Sequence, residues 1–377
     1  MNARPNPFRP SAGSDPPLLV GRSGLVEEFA ESIEDGPGAP GRASIFTGPR
    51  GIGKTVMLNA VSERVQAAYQ WRVIDETATT GVLRRLTARC LQWAPPERTG
   101  QHVTGVTMGP IGINLSDPAT PPELGLRDAL GLVLDDLEAH GTGLLITIDE
   151  IHAAMREELG QFAAVMQHLV REKREIAVAM AGIPSGVEEL LNDRVVTFLR
   201  RADRHVLGDV DLEDVSLALD ETFRENGRTM SPAGLAAATA ATGGYPFMIQ
   251  LVGYHIWRLA TDGTIADAIV GAGIAAARLR LGSLVHATSM QDLSAVDRTF
   301  LVVMASDDGP SSVEAIGQRM GKAPNYISMY RSRLIAAGLI RPAGWGKVDY
   351  ALPFLREYLR EHGAHYLVMD GMTTPAE

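Results

Sequence analysis

The chain has 377 residues, 45% of them hydrophobic and 21% charged, with a formal net charge of −10. That length predicts two or three domains, because single cores rarely grow beyond about 250–300 residues. The acidic balance excludes attraction of the whole chain to nucleic acid or anionic lipid, so any such contact must come from a local basic patch. No run approaches the roughly 18 uncharged apolar residues of a membrane helix, so neither a spanning segment nor a membrane partner is expected. The N-terminal stretch lacks the apolar region of a signal peptide. Cys90 is the single cysteine, which excludes a disulfide framework and a multi-cysteine zinc site and suits a reducing, cytoplasmic setting. Arginine supplies nearly all the positive charge. The four lysines are Lys54, Lys173, Lys322 and Lys347, so each invites the question of what arginine could not do there.

Residues 1–17 are rich in proline and polar groups and read as a mobile arm. A short entry segment and a helix follow, closed by Gly36-Pro37-Gly38. From Ala43 the chain alternates apolar strands with amphipathic helices, the pattern of a parallel sheet covered on both faces. The expected strands are 44–47, 71–75, 144–149, 176–181 and 205–207. An irregular stretch over about 95–121 contains two apolar runs around Gly109-Pro110 and reads as a hairpin insertion. It is expected to be a surface flap or a partner-contacting loop. Thr120, Pro121 and Glu123 mark a helix start after it. Residues 211–285 are strand-poor and alanine-rich and read as a small helical domain. Residues 286–366 read as three helices and a hairpin, with helix starts at Ser294-x-x-Asp297 and Ser311-x-x-Glu314 and a third helix over 324–337. Residues 367–377 form a tail.

Gly48-Pro49-Arg50-Gly51-Ile52-Gly53-Lys54-Thr55 matches G-x-x-x-x-G-K-[ST] between an expected strand and an expected helix. Glycines let successive N–H groups point inward at a phosphate, and the helix N-terminus adds its positive end. Lys54 suits the β- and γ-phosphate oxygens as a compact point charge, and Thr55 suits Mg²⁺. The strand 144–149 ends in Asp149-Glu150. Two adjacent carboxylates at a buried strand end need a cation or a cleft. Asp149 is therefore expected in the Mg²⁺ shell and Glu150 as the base that activates water. His152 is given no catalytic role.

These motifs resemble the AAA+ superfamily of P-loop ATPases, and within it the clade of origin-recognition initiators and STAND signalling ATPases. The resemblance covers about residues 18–285. It implies an ATPase core over 18–210 and a helical lid over 211–285, with ATP and Mg²⁺ bound between them. Leu19-Val20-Gly21-Arg22 resembles the segment that lines the family's adenine pocket. With the phosphate loop and Val56, the resemblance implies that Val20, Gly21 and Arg22 are nucleotide contacts. The strand 176–181 matches the one carrying the family's polar sensor, but here Gly182 and then Ser185 stand at its end. Arg201, with Arg200 in reserve, sits where the family places an arginine finger, which implies an ATP-dependent homo-oligomer. Gly243-Gly244-Tyr245-Pro246 resembles the G-x-P motif of STAND lids, which implies that Pro246 touches the nucleotide.

The C-terminal unit resembles a winged helix-turn-helix. Ile327, Leu334 and Ile335 fall at core spacing on its third helix. From residue 319 to 348 six residues are basic (Arg319, Lys322, Arg331, Arg333, Arg341 and Lys347) and none is acidic. That footprint suits a phosphate backbone. Lys322, Asn325, Tyr326, Ser328, Arg331, Arg333 and Lys347 are the expected contacts to double-stranded DNA. Three readings stay open: an ATP-driven switch on DNA, with hydrolysis stimulated by assembly or DNA; a STAND-type signalling or scaffold ATPase docking a protein; and a transposition-helper ATPase assembling on DNA.

Overall fold

A computed structural model describes residues 5–11, 20–94, 124–153, 156–192, 198–261, 263–291 and 293–369. The hairpin over 95–121 and the helix start at Thr120 fall outside the described residues. The chain runs α1 (Ser23–Glu34), β1 (Ala43–Thr47), α2 (Lys54–Tyr69), β2 (Arg72–Thr77), α3 (Val82–Trp93) and α4 (Leu126–Ala139). It continues through β3 (Leu144–Asp149), α5 (Arg156–Arg171), β4 (Ile176–Gly182), α6 (Pro184–Asn192) and β5 (Asp203–Val206). The five strands pair in the order β2-β3-β4-β1-β5, every neighbour parallel.

Side chains on a strand alternate between faces, and this alternation decides what each helix packs on. In β4, Ile176, Val178 and Met180 join a cluster with α3, α4 and α5, while Ala177, Ala179 and Ala181 join the opposite cluster with α2. The alanines leave room for α2 to lie close, packed through Met57, Leu58, Val61 and Val65. In β3 the same parity sends Leu145 to the α2 side. Thr147 and Asp149 share that parity, so the strand's last carboxylate faces the start of α2.

Next come α7 (Leu212–Glu225), β6 (Arg228–Met230), α8 (Pro232–Thr242), α9 (Pro246–Leu259), β7 (Gly263–Ile265) and α10 (Asp267–Leu281). The parallel pair β6–β7 was not expected in this strand-poor stretch; its strands are three residues each, too short for a periodic signal. α10 runs through a π-turn at Gly282–His286 into α11 (Ala287–Gln291). By length and composition this continuous helix, Asp267–Gln291, could cross a membrane, which corrects the expectation that no segment could. Its Val270, Ala277 and Leu281 are buried in the same cluster as α9, and a Cβ on Gly273 would lie 2.8 Å from the Ile256 backbone nitrogen. Residues 5–11, expected within a mobile arm, are docked on α9, with Phe8 only 3% exposed.

The remaining elements are α12 (Ala295–Met304), β8 (Ser311–Ser312), α13 (Val313–Met320), α14 (Pro324–Ala336), β9 (Ile340–Pro342), β10 (Lys347–Tyr350) and α15 (Leu355–Met369). Ser294 caps α12 as expected, but α13 is capped by Ser312, one residue later than expected, its hydroxyl accepting from the Ala315 N–H. The expected hairpin is a three-stranded sheet, β8-β10-β9, closed by Val348–Ser311 pairing.

His286 joins this unit to α10. It is 2% exposed, its Nε2 lies 2.9 Å from the Pro353 carbonyl, and Nδ1 is buried without a partner among the described residues. Burial pushes its pKa down to about 4 from 6.5, with the Pro353 carbonyl and Glu357 acting weakly the other way. The unfolded chain therefore binds the proton first. Stability from keeping this imidazole neutral is complete above pH 6.5 and is lost as pH falls toward 4. Between pH 7 and 5 that loss is at most about 2 kcal/mol. Urea unfolding at the two pH values should show this drop, and His286→Gln should remove most of it.

Candidate functional site

The loop after β1 turns twice through left-handed backbone, at Gly51 (φ 73°) and Gly53 (φ 89°). Glycine is needed there for space as well as angle. A Cβ on Gly51 would lie 1.9 Å from the Tyr245 hydroxyl, and one on Gly53 would lie 3.0 Å from Arg22 Nη1. The loop is also held from outside. Tyr245 Oη donates to the Arg50 carbonyl at 2.7 Å, and Arg22 donates to the carbonyls of Ile52 and Gly208. Both side chains are buried, so these bonds act in a low-dielectric setting where an unpaired carbonyl would be costly.

Gly53 caps α2, and Lys54 is its first residue. Lys54 Nζ donates to the Gly48 and Pro49 carbonyls, each at 3.1 Å. Burial lowers the Lys54 pKa, while Glu150 and Asp149 oppose that shift and Arg50 adds to it. One residue on, Thr55 Oγ1 donates to Asp149 Oδ2 at 2.5 Å, and the other oxygen of Asp149 accepts from the Glu150 N–H at 2.8 Å. The hydroxyl and carboxylate form a hard-oxygen pair at a helix N-terminus. Mg²⁺ is commonly held by one or two such groups plus substrate phosphates, so the pair fits it. Among the described residues no cluster of three or more His, Cys, Asp or Glu could bind a metal without such help.

Glu150 sits in left-handed backbone (φ 55°), a conformation costly outside glycine and concentrated at functional sites. Its side chain is 46% exposed, and Oε2 lies 3.1 Å from His152 Nε2. His152 Nδ1 accepts from the Ile183 N–H at 3.4 Å, which fixes the ring as the Nε2–H tautomer. Burial lowers the His152 pKa, and Glu150 opposes that. A Cβ on Gly186 would strike the His152 Cβ at 2.2 Å, so the imidazole is clamped against α6. His152 thus links the end of β4 to Glu150, a positioning part not assigned from sequence, where a lone histidine carries no pattern.

A cavity of about 720 Å³ opens between the loop and the helices after residue 211. Val20, Arg22, Arg50, Gly51, Gly53, Lys54, Thr55, Val56, Glu150 and Pro246 line it. Gly21, Gly48, Pro49, Ile52 and Asp149 are not part of that lining. Ile52 is buried, and a Cβ on Gly21 would meet Val210 at 2.9 Å. Phe247, Gln250 and Arg280 also line the cavity and were not foreseen, nor was the hold of Tyr245 on the loop. For Arg280 the only hint was a cation at the end of an apolar helix. Arg201 lies in a short 3-10 turn, exposed, and outside the cavity lining of its own chain. Arg200 donates to the Leu191 carbonyl at 2.6 Å.

The basic footprint at the C-terminal unit is smaller than its composition. Arg319 pairs with Asp307 at 2.6 Å and Arg333 with the buried Asp297 at 2.8 Å, both partners lying outside the run from 319 to 348. Tyr326 is half-buried against Tyr330, and Arg331 is half-buried with Nε unpartnered, so neither projects freely from α14. Lys322, Asn325, Ser328 and Lys347 are exposed. Trp345 stands fully exposed between Gly344 and Gly346.

Among solved structures, the Walker-type ATPase PABY2304 of Pyrococcus abyssi superposes with a TM-score of 0.65 at 16% identity, covering 95% of this chain and 99% of its own. The Aeropyrum pernix ORC2 protein in ADPNP–ADP complexes superposes with a TM-score of 0.63 at 13% identity, covering 95% and 98%. The ADP form of that protein gives 0.53 at 14% identity, covering 94% and 98%. The fold is that of the P-loop AAA+ ATPases. Residues 283–359 match a family described as a domain of unknown function, DUF8462. No curated protein matches the sequence.

The Tyr245 hydroxyl bond to the loop is separable from ring packing. Tyr245→Phe should cost about 1 kcal/mol in chemical denaturation, the usual net value of one buried hydrogen bond. Hydrogen exchange should show faster exchange at the amides of residues 50–54.

Proposed function

We propose that this protein is an ATP-binding, slowly hydrolysing molecular switch of the AAA+/STAND type that contacts DNA through its C-terminal unit. The observation that carries the reading is the convergence of Lys54, Thr55, Asp149 and Glu150 at one end of one cavity, on the loop, the helix start and the strand end that AAA+ proteins use. Lys54 would trade its two carbonyl partners for phosphate oxygens, which restores favourable surroundings to a buried cation. Thr55 and Asp149 would hold Mg²⁺, which when bound neutralises phosphate charge. Glu150, oriented by His152, would take the proton from the water whose oxygen attacks the γ-phosphorus. The bond to the β-phosphate oxygen breaks as ADP leaves. Arg201 is exposed and lies outside its own cavity lining, so it would serve the cavity of a neighbouring subunit in an ATP-dependent homo-oligomer. Such fingers are worth about 10³–10⁵ in rate, so an isolated chain should be slow.

The DNA reading rests on Lys322, Asn325, Ser328 and Lys347, exposed on or beside α14 and β10, in a unit whose helices and three-stranded sheet would suit a winged helix. The buried Cys90 is in keeping with a cytoplasmic setting.

Calorimetry with ATP and Mg²⁺ should give binding that Lys54→Ala abolishes, and no heat with the unaltered protein would overturn the reading. Glu150→Gln should bind ATP normally yet lose at least about 100-fold in turnover, the usual worth of a general base. Duplex DNA should bind more weakly as salt rises from 50 to 200 mM, and Lys322→Ala should reduce the salt slope by about 1. Affinity indifferent to salt would shift the reading to protein docking.

A further inference from the structure

Residues 5–11 make a run of specific contacts along one stripe of α9. Asn6 Nδ2 donates to the Tyr254 carbonyl at 3.1 Å, and Asn6 Oδ1 accepts the Phe8 N–H at 3.0 Å. Phe8 is 3% exposed, its ring 5.1 Å from that of Phe223. Gly253 is what admits it, since a Cβ there would lie 2.3 Å from the Phe8 ring. One residue on, the Arg9 N–H donates to Gln250 Oε1 at 3.1 Å. Positions 250, 253 and 254 follow helical i, i+3, i+4 spacing, so one face of α9 receives the whole segment.

The next residues reach the cavity. Arg9, Pro10 and Ser11 line it together with Val20, Ile249 and Leu284, and the phosphate loop lines it as well. Apolar walls with a few polar groups suit a flat heterocycle better than a phosphate. Gln250 is part of the same lining. With its oxygen engaged by the Arg9 amide, its carboxamide keeps its N–H donors for a ligand.

We propose that residues 6–11 form a strap, pinned to α9 by Phe8, that makes the base-side wall of the nucleotide cavity, and that Gln250, oriented by the strap, donates to a ring acceptor of the base. This rests on the nucleotide reading of the cavity and adds to it a base-recognition part lying outside the phosphate machinery. The strap belongs to the chain's start and α9 to the lid, so the bound base would tie the two together and slow its own release.

The test is calorimetry of the full chain with two ligands, ATP with Mg²⁺ and inorganic tripolyphosphate with Mg²⁺, which lacks a base. Gln250→Glu keeps an acceptor for the Arg9 amide but removes the donors. Phe8→Ala removes the pin. Each should weaken ATP about tenfold, the worth of one good hydrogen bond or contact, and leave tripolyphosphate within about twofold. Wild-type ATP affinity in both variants would overturn the strap, as would equal losses for the two ligands. Should Phe8→Ala fail to fold, Gln250→Glu decides alone, since it leaves Phe8 in place. Lys54→Ala separates the two levels: if it binds ATP like the unaltered protein, the nucleotide reading itself falls. If it loses ATP while the strap variants do not, only the strap falls.

Discussion

The meeting of the α2 N-terminus with the end of β3 is the constraint on which the rest depends. Thr55 and Asp149 are 94 residues apart in sequence, yet hydroxyl and carboxylate lie 2.5 Å apart. That contact requires β3 to run parallel to its neighbours, with Asp149 on the α2 face, and it requires α2 to lie close against the sheet. The alanine face of β4 supplies the closeness. A bulkier residue at 177, 179 or 181 would push α2 outward, because interiors are already packed to crystal-like density.

Around that contact, other side chains hold the loop and Glu150 in place. Tyr245 and Arg22 bind different loop carbonyls, those of Arg50 and Ile52, and His152 holds Glu150. Such outer contacts hold the loop and the Glu150 side chain in place, as a preorganised site would require. Tyr245 comes from the segment after α8 and Arg22 from the residue before α1. The loop's shape is thus tied to both the segment before α1 and the segment between α8 and α9. The strap of residues 6–11 extends the same design to the other end of the cavity.

Charge in the C-terminal unit shows how composition can mislead. Six basic residues without an acidic one between 319 and 348 suggest a strong positive face. Folding brings Asp297 and Asp307 against two of them, because helices α12 and α13 pack side by side with α14 and its neighbours. Of the others, Lys322, Arg341 and Lys347 stay exposed. A net charge counted along the chain cannot register such pairing, since the partners are separated by 12 and 36 residues.

The sequence by itself determined the phosphate loop, the strand-end carboxylates and the alternation that makes a parallel sheet. These are local signals: glycine spacing, one lysine, runs of period two and helix starts. A short motif also singled out Pro246, which lines the cavity. Tertiary structure alone decided that residues 5–11 are docked, since one phenylalanine among prolines has no period and only the bare backbone of Gly253 makes room for it. It likewise decided where His152, Gln250 and Arg280 sit, and the pairing of Arg319 and Arg333. Each depends on contacts between segments far apart in the chain, and a linear pattern holds no record of those distances.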